Sequence, residues 1–458
     1  MNNIKDFVIE GTKLIEYIGN DKEVYIPDGI TTIAEDAFFN KQSVEYIFMP
    51  DTVTELESHA ICCNKKLKSL KLSANLKKIQ NNFHSCDSIE KVDFLENIES
   101  IIGDSFCGKQ LKKVILPPSL KEITCSGFNA FTNIKNAPEK IEVSLDEKNE
   151  HLICENNCIY SSDMKILMRC FPSGKQQEFI IPDSVEVIND YAFAGCDFNQ
   201  IKMTDTVKKL GRSAFADCRM EKVRLSEDLS ELPIGVFDMC VNLREVNIPH
   251  NLKTIRNYAF STTVLDEIVL PESLKIIEKD AFMCATTKIH IKKNERYETL
   301  NDCLIEKQRK EIILYFGKKP VDKSTFKGIE AIGNHAFDFA DVVAELHIPN
   351  NVKFIKDCAF FSCKGLVKAH IPSSVKVINY GIFEFSTVEE ITIADGVTQI
   401  KDCAFLFTDN LKKITIPESV TKIGKYAFGD DSKATIYCKE NSRAHRFAKE
   451  NNIKFKIK

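Results

Sequence analysis

A solenoid of stacked short coils is the fold class that this 458-residue sequence predicts, and three observations predict it. One apolar text recurs fifteen times, running Phe179, Ile181, Pro182, Val185, Ile188, Ala192, Phe193, Cys196 in one copy and Ile414, Ile416, Pro417, Val420, Ile423, Ala427, Phe428 in another. The copies fall 22 or 23 residues apart wherever they run uninterrupted. A Phe closes nearly every copy. A unit this short cannot bury its own apolar face and is stable only when stacked on neighbours, so self-similarity at roughly 20–29 residues marks a leucine-rich-repeat solenoid.

Taking the Pro slot as origin, the copies sit at Pro27, Pro50, Ser73, Leu95, Pro117, Pro182, Thr204, Ser226, Pro249, Pro271, Phe326, Pro349, Pro372, Ala394 and Pro417. The residues one and three places before the origin are apolar, as in Val24 and Ile26 or Leu346 and Ile348, and those between them are mostly polar. That alternation predicts a short strand with one face buried. A Pro ends it, having no amide to give to the ladder. Apolar residues three and six places on, such as Val352 and Ile355, then turn the chain back into the core. Eleven places after the origin stands the Phe: Phe38, Phe106, Phe128, Phe193, Phe215, Phe237, Phe260, Phe282, Phe337, Phe360, Phe383, Phe405 and Phe428, with Ile61 in the second copy and Phe83 one place early in the third. Each such side chain is worth roughly 1.5–3 kcal/mol when fully buried, so the column predicts a spine on the side away from the sheet. Phe237 is thereby assigned to the core and Asn247 to solvent.

The pattern breaks after the fifth copy at Ile141 and Val143 and after the tenth at Ile289 and Ile291, with similar text following each break. Each break reads as a strand continuing the ladder, then a hairpin. Phe7 to Tyr17 reads as the second half of such an insert, and Asn441 to Asn452 as a helix-like run with Ala444, Phe447 and Ala448 on one face. The organisation expected is an N-terminal capping hairpin (1–23), repeats 1–5 (24–140), a hairpin insert (141–178), repeats 6–10 (179–288), a second insert (289–322), repeats 11–15 (323–433) and a C-terminal cap (434–458), all in one continuous solenoid domain.

The net charge of −4 points to neither nucleic acid nor an anionic membrane. No apolar run reaches the roughly 18 residues of a membrane span, and Met1 to Lys13 shows no secretion signal. A cytoplasmic monomer is therefore expected, with a leader already removed as the alternative. The odd count of seventeen cysteines, and the recurrence of Cys196, Cys218, Cys240 and Cys363 in one slot with Cys86 and Cys284 nearly aligned, favour buried free thiols used as small hydrophobes over disulfides.

No phosphate loop, His-Glu-x-x-His zinc motif or Gly-x-Ser-x-Gly elbow is present; Ser173-Gly174-Lys175 lacks the flanking residues a phosphate loop needs. Neither enzyme activity, nor a cofactor, nor a metal is expected. His347 and His370 are the exception among nine scattered histidines: both stand two places before their origins in adjacent coils, about 5 Å apart along the ladder. A metal-binding or pH-sensing pair is one reading. Two solvated strand histidines is the favoured one, since no carboxylate or Cys stands in the same slot of the flanking repeats.

The coil text Ile181-Pro182-Asp183-Ser184-Val185-Glu186-Val187-Ile188 through Ala192-Phe193-Ala194-Gly195-Cys196 resembles, almost letter for letter, that of the BspA-like leucine-rich-repeat proteins. The resemblance covers essentially the whole chain. It implies a right-handed solenoid with a parallel β-sheet on the concave face, mostly β with short irregular or 3₁₀ segments. It also implies bacterial and protist cell-surface relatives whose usual proposed role is adhesion to host or extracellular proteins, which makes the cell surface the alternative localisation.

Residues two and four places before each origin point outward together. Tyr25, Tyr46 and Phe48 form an aromatic cluster among them, Lys202, Lys222 and Arg224 a basic block, and Glu245, Glu267, Asp322 and Glu345 an acidic one. Adjacent exposed rings suit an interface anchor. The function expected is a non-enzymatic scaffold binding a protein, or as second choice a glycan, through the concave sheet. The alternative is an intracellular structural or regulatory protein with redox-sensitive thiols.

Overall fold

A computed structural model describes residues 3–94, 96–103, 105, 112–125, 141–171, 177–429 and 433–458. Phe106, Phe128 and the origin Leu95 lie outside them, as do the side chains of Asp93 and Cys125. The chain is described as two compact units, Met1–Pro249 and His250–Lys458.

In each unit the coils build a β-solenoid with two parallel ladders rather than one. The first ladder is the strand predicted before each origin. In the N-terminal unit it runs through Glu23–Tyr25, Tyr46–Phe48, Ser69–Lys71 and Lys91–Asp93, and again through Glu178–Ile180, Gln200–Lys202, Lys222–Arg224 and Glu245–Val246. In the C-terminal unit it runs from Glu345–His347 through Lys368–Ile371, Glu390–Ile393, Lys413–Thr415 and Thr435–Cys438 to Phe455–Ile457. Alternation holds along it: in Glu23–Tyr25 only Val24 is buried, and in Glu345–His347 only Leu346.

The second ladder, absent from the sequence reading, uses the residues five and six places after the origin. Its strands are mostly two residues long, such as Val187–Ile188 beside Lys209–Leu210, or Val377–Ile378 beside Gln399–Ile400. The apolar residue at the sixth place was expected merely to fill the core. Its backbone must also be paired once buried, and the equivalent residue of the next coil is the nearest partner.

The inserts and the N-terminal hairpin all seed this second ladder. Cys158–Ser161 and Ile166–Cys170 pair antiparallel, and Ile166–Cys170 then joins Val187–Ile188 in parallel. Cys303–Glu306 and Glu311–Tyr315 do the same ahead of Ala331–Ile332, and Phe7–Glu10 and Lys13–Tyr17 ahead of Thr32–Ile33. The last residue of each hairpin donates its amide to the Ala before the next spine Phe: Tyr17 to Ala37 at 2.9 Å, Cys170 to Ala192 at 2.6 Å and Tyr315 to Ala336 at 2.7 Å. At each break the strands Glu142–Leu145 and Lys288–Ile291 continue the first ladder beside Lys113–Leu116 and Glu267–Leu270.

The Phe column is a stack of buried rings. Phe193 and Phe215 lie 5.1 Å apart, Phe337 and Phe360 5.1 Å, and Phe360 and Phe383 5.4 Å, with planes within 24° of parallel. At the C-terminal end the helix Arg443–Glu450, capped by Ser442 accepting from the His445 amide, buries Ala444, Phe447 and Ala448 and sets the Phe447 ring 6.0 Å from Phe428. Around the Phe the chain turns through left-handed backbone twice per coil, and non-glycine residues mostly hold it: Tyr191 (φ 58°), Asp217 (φ 55°), Cys358 (φ 51°) and Phe385 (φ 55°) among them. Such residues cost about 1–2 kcal/mol each. Bonds between coils offset that cost, as when Tyr191 donates to Arg212 O at 2.9 Å and Phe385 to Phe407 O at 3.0 Å.

Three expectations need correction. Repeat 11 has no strand before Phe326: Asp322 caps a 3₁₀ turn, Lys323–Phe326, with its carboxylate accepting from Ser324, so Asp322 and Ser324 do not stand in the outward columns. Asn247 is not simply solvated, because its side-chain amide accepts from Leu225 N at 2.6 Å and donates to Leu225 O at 3.1 Å, completing the ladder where its own strand is two residues long. Cys158 and Cys170, opposite each other in the first insert, form a disulfide. The repeat register says nothing of them because both lie in the insert.

The repeat-slot cysteines are free and buried, and they do more than fill space. Cys218 Sγ donates to Phe193 O at 3.0 Å, Cys240 to Phe215 O at 2.9 Å and Cys363 to Phe337 O at 3.1 Å, each reaching the spine Phe of the preceding coil. Asn64 fills the same slot and donates to Phe38 O at 2.7 Å. The slot selects small donors that satisfy a buried carbonyl.

Four places after the origin a glutamate is clamped by two lysines: Glu99 by Lys77 and Lys121 of the flanking coils, and Glu186 and Glu330 by Lys208 and Lys353 of the next coil together with Lys165 and Lys310 of the preceding insert. Hydrogen bonds from Lys310 and Lys353, both at 2.7 Å, pull the Glu330 carboxyl down to about 2. A carboxylate with a depressed folded pKa adds stability above its ordinary value of about 4.5, and that stability is lost as the pH falls toward about 2. The urea midpoint should therefore drop on acidification from about pH 6 to about pH 3, and drop less in Glu330→Gln. Equal losses in both proteins would show that this clamp adds no stability.

Candidate functional site

The outward face of the first ladder presents the side chains singled out in the sequence. Tyr25 and Phe48 are directly opposite in register, and their rings stack 4.4 Å apart with planes 7° from parallel. Tyr25 is 46% exposed, Phe48 half-buried, and the Tyr25 hydroxyl donates to Glu23 at 3.2 Å. Tyr46 stands one column over, between Glu23 and Ser69 in register. The strand pleat places Tyr25 and Phe48 together because both lie two residues before an origin.

The basic block is not a free positive patch. Lys202 pairs with Glu178 at 2.6 Å, Lys222 with Glu245 at 2.7 Å, and Arg224 with Asp205 at 3.3 Å while also donating to the Met203 carbonyl. The hydrogen bond to Glu245 raises the Lys222 ammonium above its ordinary value. Glu178 and Glu245 stand in the outward columns themselves, whereas Asp205 lies outside both of them. Of the expected acidic block, Glu245 and Glu345 are likewise engaged, and Glu267 pairs with His290 at 3.3 Å.

His347 and His370 lie opposite each other in the C-terminal unit, as their slots require, with rings 3.8 Å apart and 7° from parallel. A carboxylate reaches the pair not from the same slot of a flanking repeat but from the strand of His347 itself: Glu345 Oε1 bonds to His347 Nε2 at 3.2 Å and His370 Nε2 at 2.9 Å. The missed signal was local, since residues two apart in a strand share a face. The His370 bond is the main cause that holds the Glu345 carboxyl below its usual range.

A second cluster in that unit, Cys284, His335 and Asp338, has a structural account. Asp338 accepts from the Cys284 amide at 2.7 Å and bonds to His335 Nδ1 at 3.1 Å, joining coils that the second insert separates. Burial pushes the Cys284 thiol up to about 12.

Coils of 22 or 23 residues, paired ladders and a buried Phe spine together define a leucine-rich-repeat β-solenoid. The family model described as BspA type leucine rich repeat region matches residues 11–136, 164–288 and 315–436, more than half of the sequence, and the chain belongs to that family. No curated protein matches it. Among solved structures it is similar to a leucine rich cell surface protein from Faecalibacterium prausnitzii (20% identity, covering 97% of this chain and 94% of that one, TM-score 0.33). It is also similar to the pneumococcal vaccine antigen PcpA (13% identity, 98% and 95% covered, TM-score 0.46) and to a leucine-rich repeat protein from Bacteroides ovatus (19% identity, 99% and 100% covered, TM-score 0.38). At such scores these likenesses add nothing to the family assignment. No helix among the described residues is long and apolar enough to cross a membrane.

Proposed function

We propose that the chain is a non-enzymatic binding scaffold that takes a protein partner on the outward face of its first ladder, with Tyr25, Tyr46 and Phe48 as the anchor. The observation that carries this reading is the exposed Tyr25–Phe48 stack on paired strands. Its rings are already ordered, so little entropy is lost when a partner covers them. Lys202, Lys222 and Arg224 serve as a polar rim whose ion pairs can be exchanged for a partner's carboxylates, setting on-rate and salt dependence rather than affinity. Membership of the BspA-type leucine-rich-repeat family supports adhesion as the role of this contact, with the cell surface as the alternative to a cytoplasmic location.

Burial argues against the alternative of a redox-responsive thiol ladder. The Cys196 and Cys218 thiols are held far above their ordinary range by burial, which denies them the thiolate that oxidation needs.

A pull-down with the full chain as bait, repeated with Tyr25, Tyr46 and Phe48 all changed to Ala, tests the anchor. Binding should weaken by at least about 2 kcal/mol while the unfolding midpoint hardly moves. A triple variant that retains the partner as tightly as wild type would move the site elsewhere.

A further inference from the structure

We infer that Glu345, His347 and His370 bind one divalent transition-metal ion of the zinc class. The three side chains offer one ligand atom each, and those atoms lie within 4.8 Å of one another. Two imidazole nitrogens and one carboxylate oxygen form a borderline-soft donor set that suits zinc better than calcium or magnesium, which prefer all-oxygen shells.

The ladder brings the three residues together. Leu346 and Ala369, the buried neighbours of the two histidines, are paired across the same strands and anchor both backbones in the core. The rings lie parallel, with both Nε2 atoms turned to the single oxygen Glu345 Oε1. In that hydrogen-bonded form the imidazoles donate Nε2–H. Moving each ring proton to Nδ1 frees two Nε2 lone pairs on the side of Glu345 Oε1, and a tilt of the two rings toward each other lets one ion replace the two bridging protons and keep the carboxylate as its third ligand. Side-chain exposures of 51% for Glu345, 59% for His347 and 31% for His370 leave the remaining coordination positions open to water or to a group from outside. Because the three are surface groups, their replacement leaves the core intact.

The test is calorimetric titration of the chelator-stripped full chain with ZnCl₂, beside the double variant His347→Ala/His370→Ala and the variant Glu345→Gln. Wild type should bind one more equivalent than the double variant, with a dissociation constant in the micromolar range. Glu345→Gln should retain that equivalent but bind it at least about tenfold more weakly. Zinc held by cysteines elsewhere would persist in both variants and so is subtracted. Melting curves without zinc should coincide for all three proteins, showing that the variants fold. The same zinc stoichiometry and affinity in wild type and double variant would overturn the site, as would wild type that takes up no zinc at micromolar concentration.

Discussion

Replacing Arg169 by Ala should cost about 3–5 kcal/mol, among the largest losses available from one side chain in the N-terminal unit. Arg169 is fully buried, the largest such side chain among the described residues. Its guanidinium donates to Tyr191 O at 2.9 Å, Ala192 O at 3.1 Å and Ala194 O at 2.9 Å, and it lies 5.4 Å from the centre of the Phe171 ring. In an ordinary coil the carbonyls equivalent to those of Ala192 and Ala194 take amides from the coil before, as Ala214 takes Phe193 and Ala216 takes Gly195. Here the first insert occupies that place, and Arg169 stands in for the absent turn. Tyr191 O and Ala192 O keep backbone donors, from Ala194 and Cys170, so the main loss from truncation is the cavity together with the bond to Ala194. Arg169→Met separates the two contributions: it restores volume without donors and should recover part of the loss, remaining about 1–3 kcal/mol below wild type. A Met variant with the wild-type urea midpoint would mean that the arginine only fills space.

Phe360→Ala should cost a similar 3–5 kcal/mol, because both ring faces are occupied, by Phe337 at 5.1 Å and Phe383 at 5.4 Å. Truncation empties a fully buried position and removes two stacked contacts, each worth about 0.5–1.5 kcal/mol beyond burial. Phe354, 62% exposed in the second ladder of the same unit, is the control, and its replacement by Ala should move the midpoint by less than about 0.5 kcal/mol. Similar shifts for the two variants would invert the assignment of buried and outward faces.

The candidate surface was legible where it depended on period alone. Tyr25 and Phe48 meet because equal offsets from Pro27 and Pro50 place them in register, and the same arithmetic brings His347 to His370. What the columns could not show is what reaches in from beside them. Asp205 neutralises Arg224 from the turn after its strand. Glu345 belongs to the acidic column and stands two residues from His347 on the same strand face, but the histidines' own slot in the flanking repeats does not contain it.

The coil, its strand, its Phe spine and the stacking were determined by the sequence by itself, since a period of 22 or 23 residues admits one way of burying every apolar slot. The tertiary structure alone decided the rest. A second ladder of two-residue strands forms only once neighbouring backbones need partners. Left-handed turns fall on Tyr, Cys and Phe, residues with no preference for them, because bonds between coils outweigh the local cost. The repeat cysteines turn out to be donors to a carbonyl one coil away, and Arg169 is buried where the insert offers the Ala194 carbonyl no amide of a preceding coil. Periodicity specifies which side chains are buried, but polar groups are satisfied by partners some 20 or more residues distant, and those distances exist only in the folded chain.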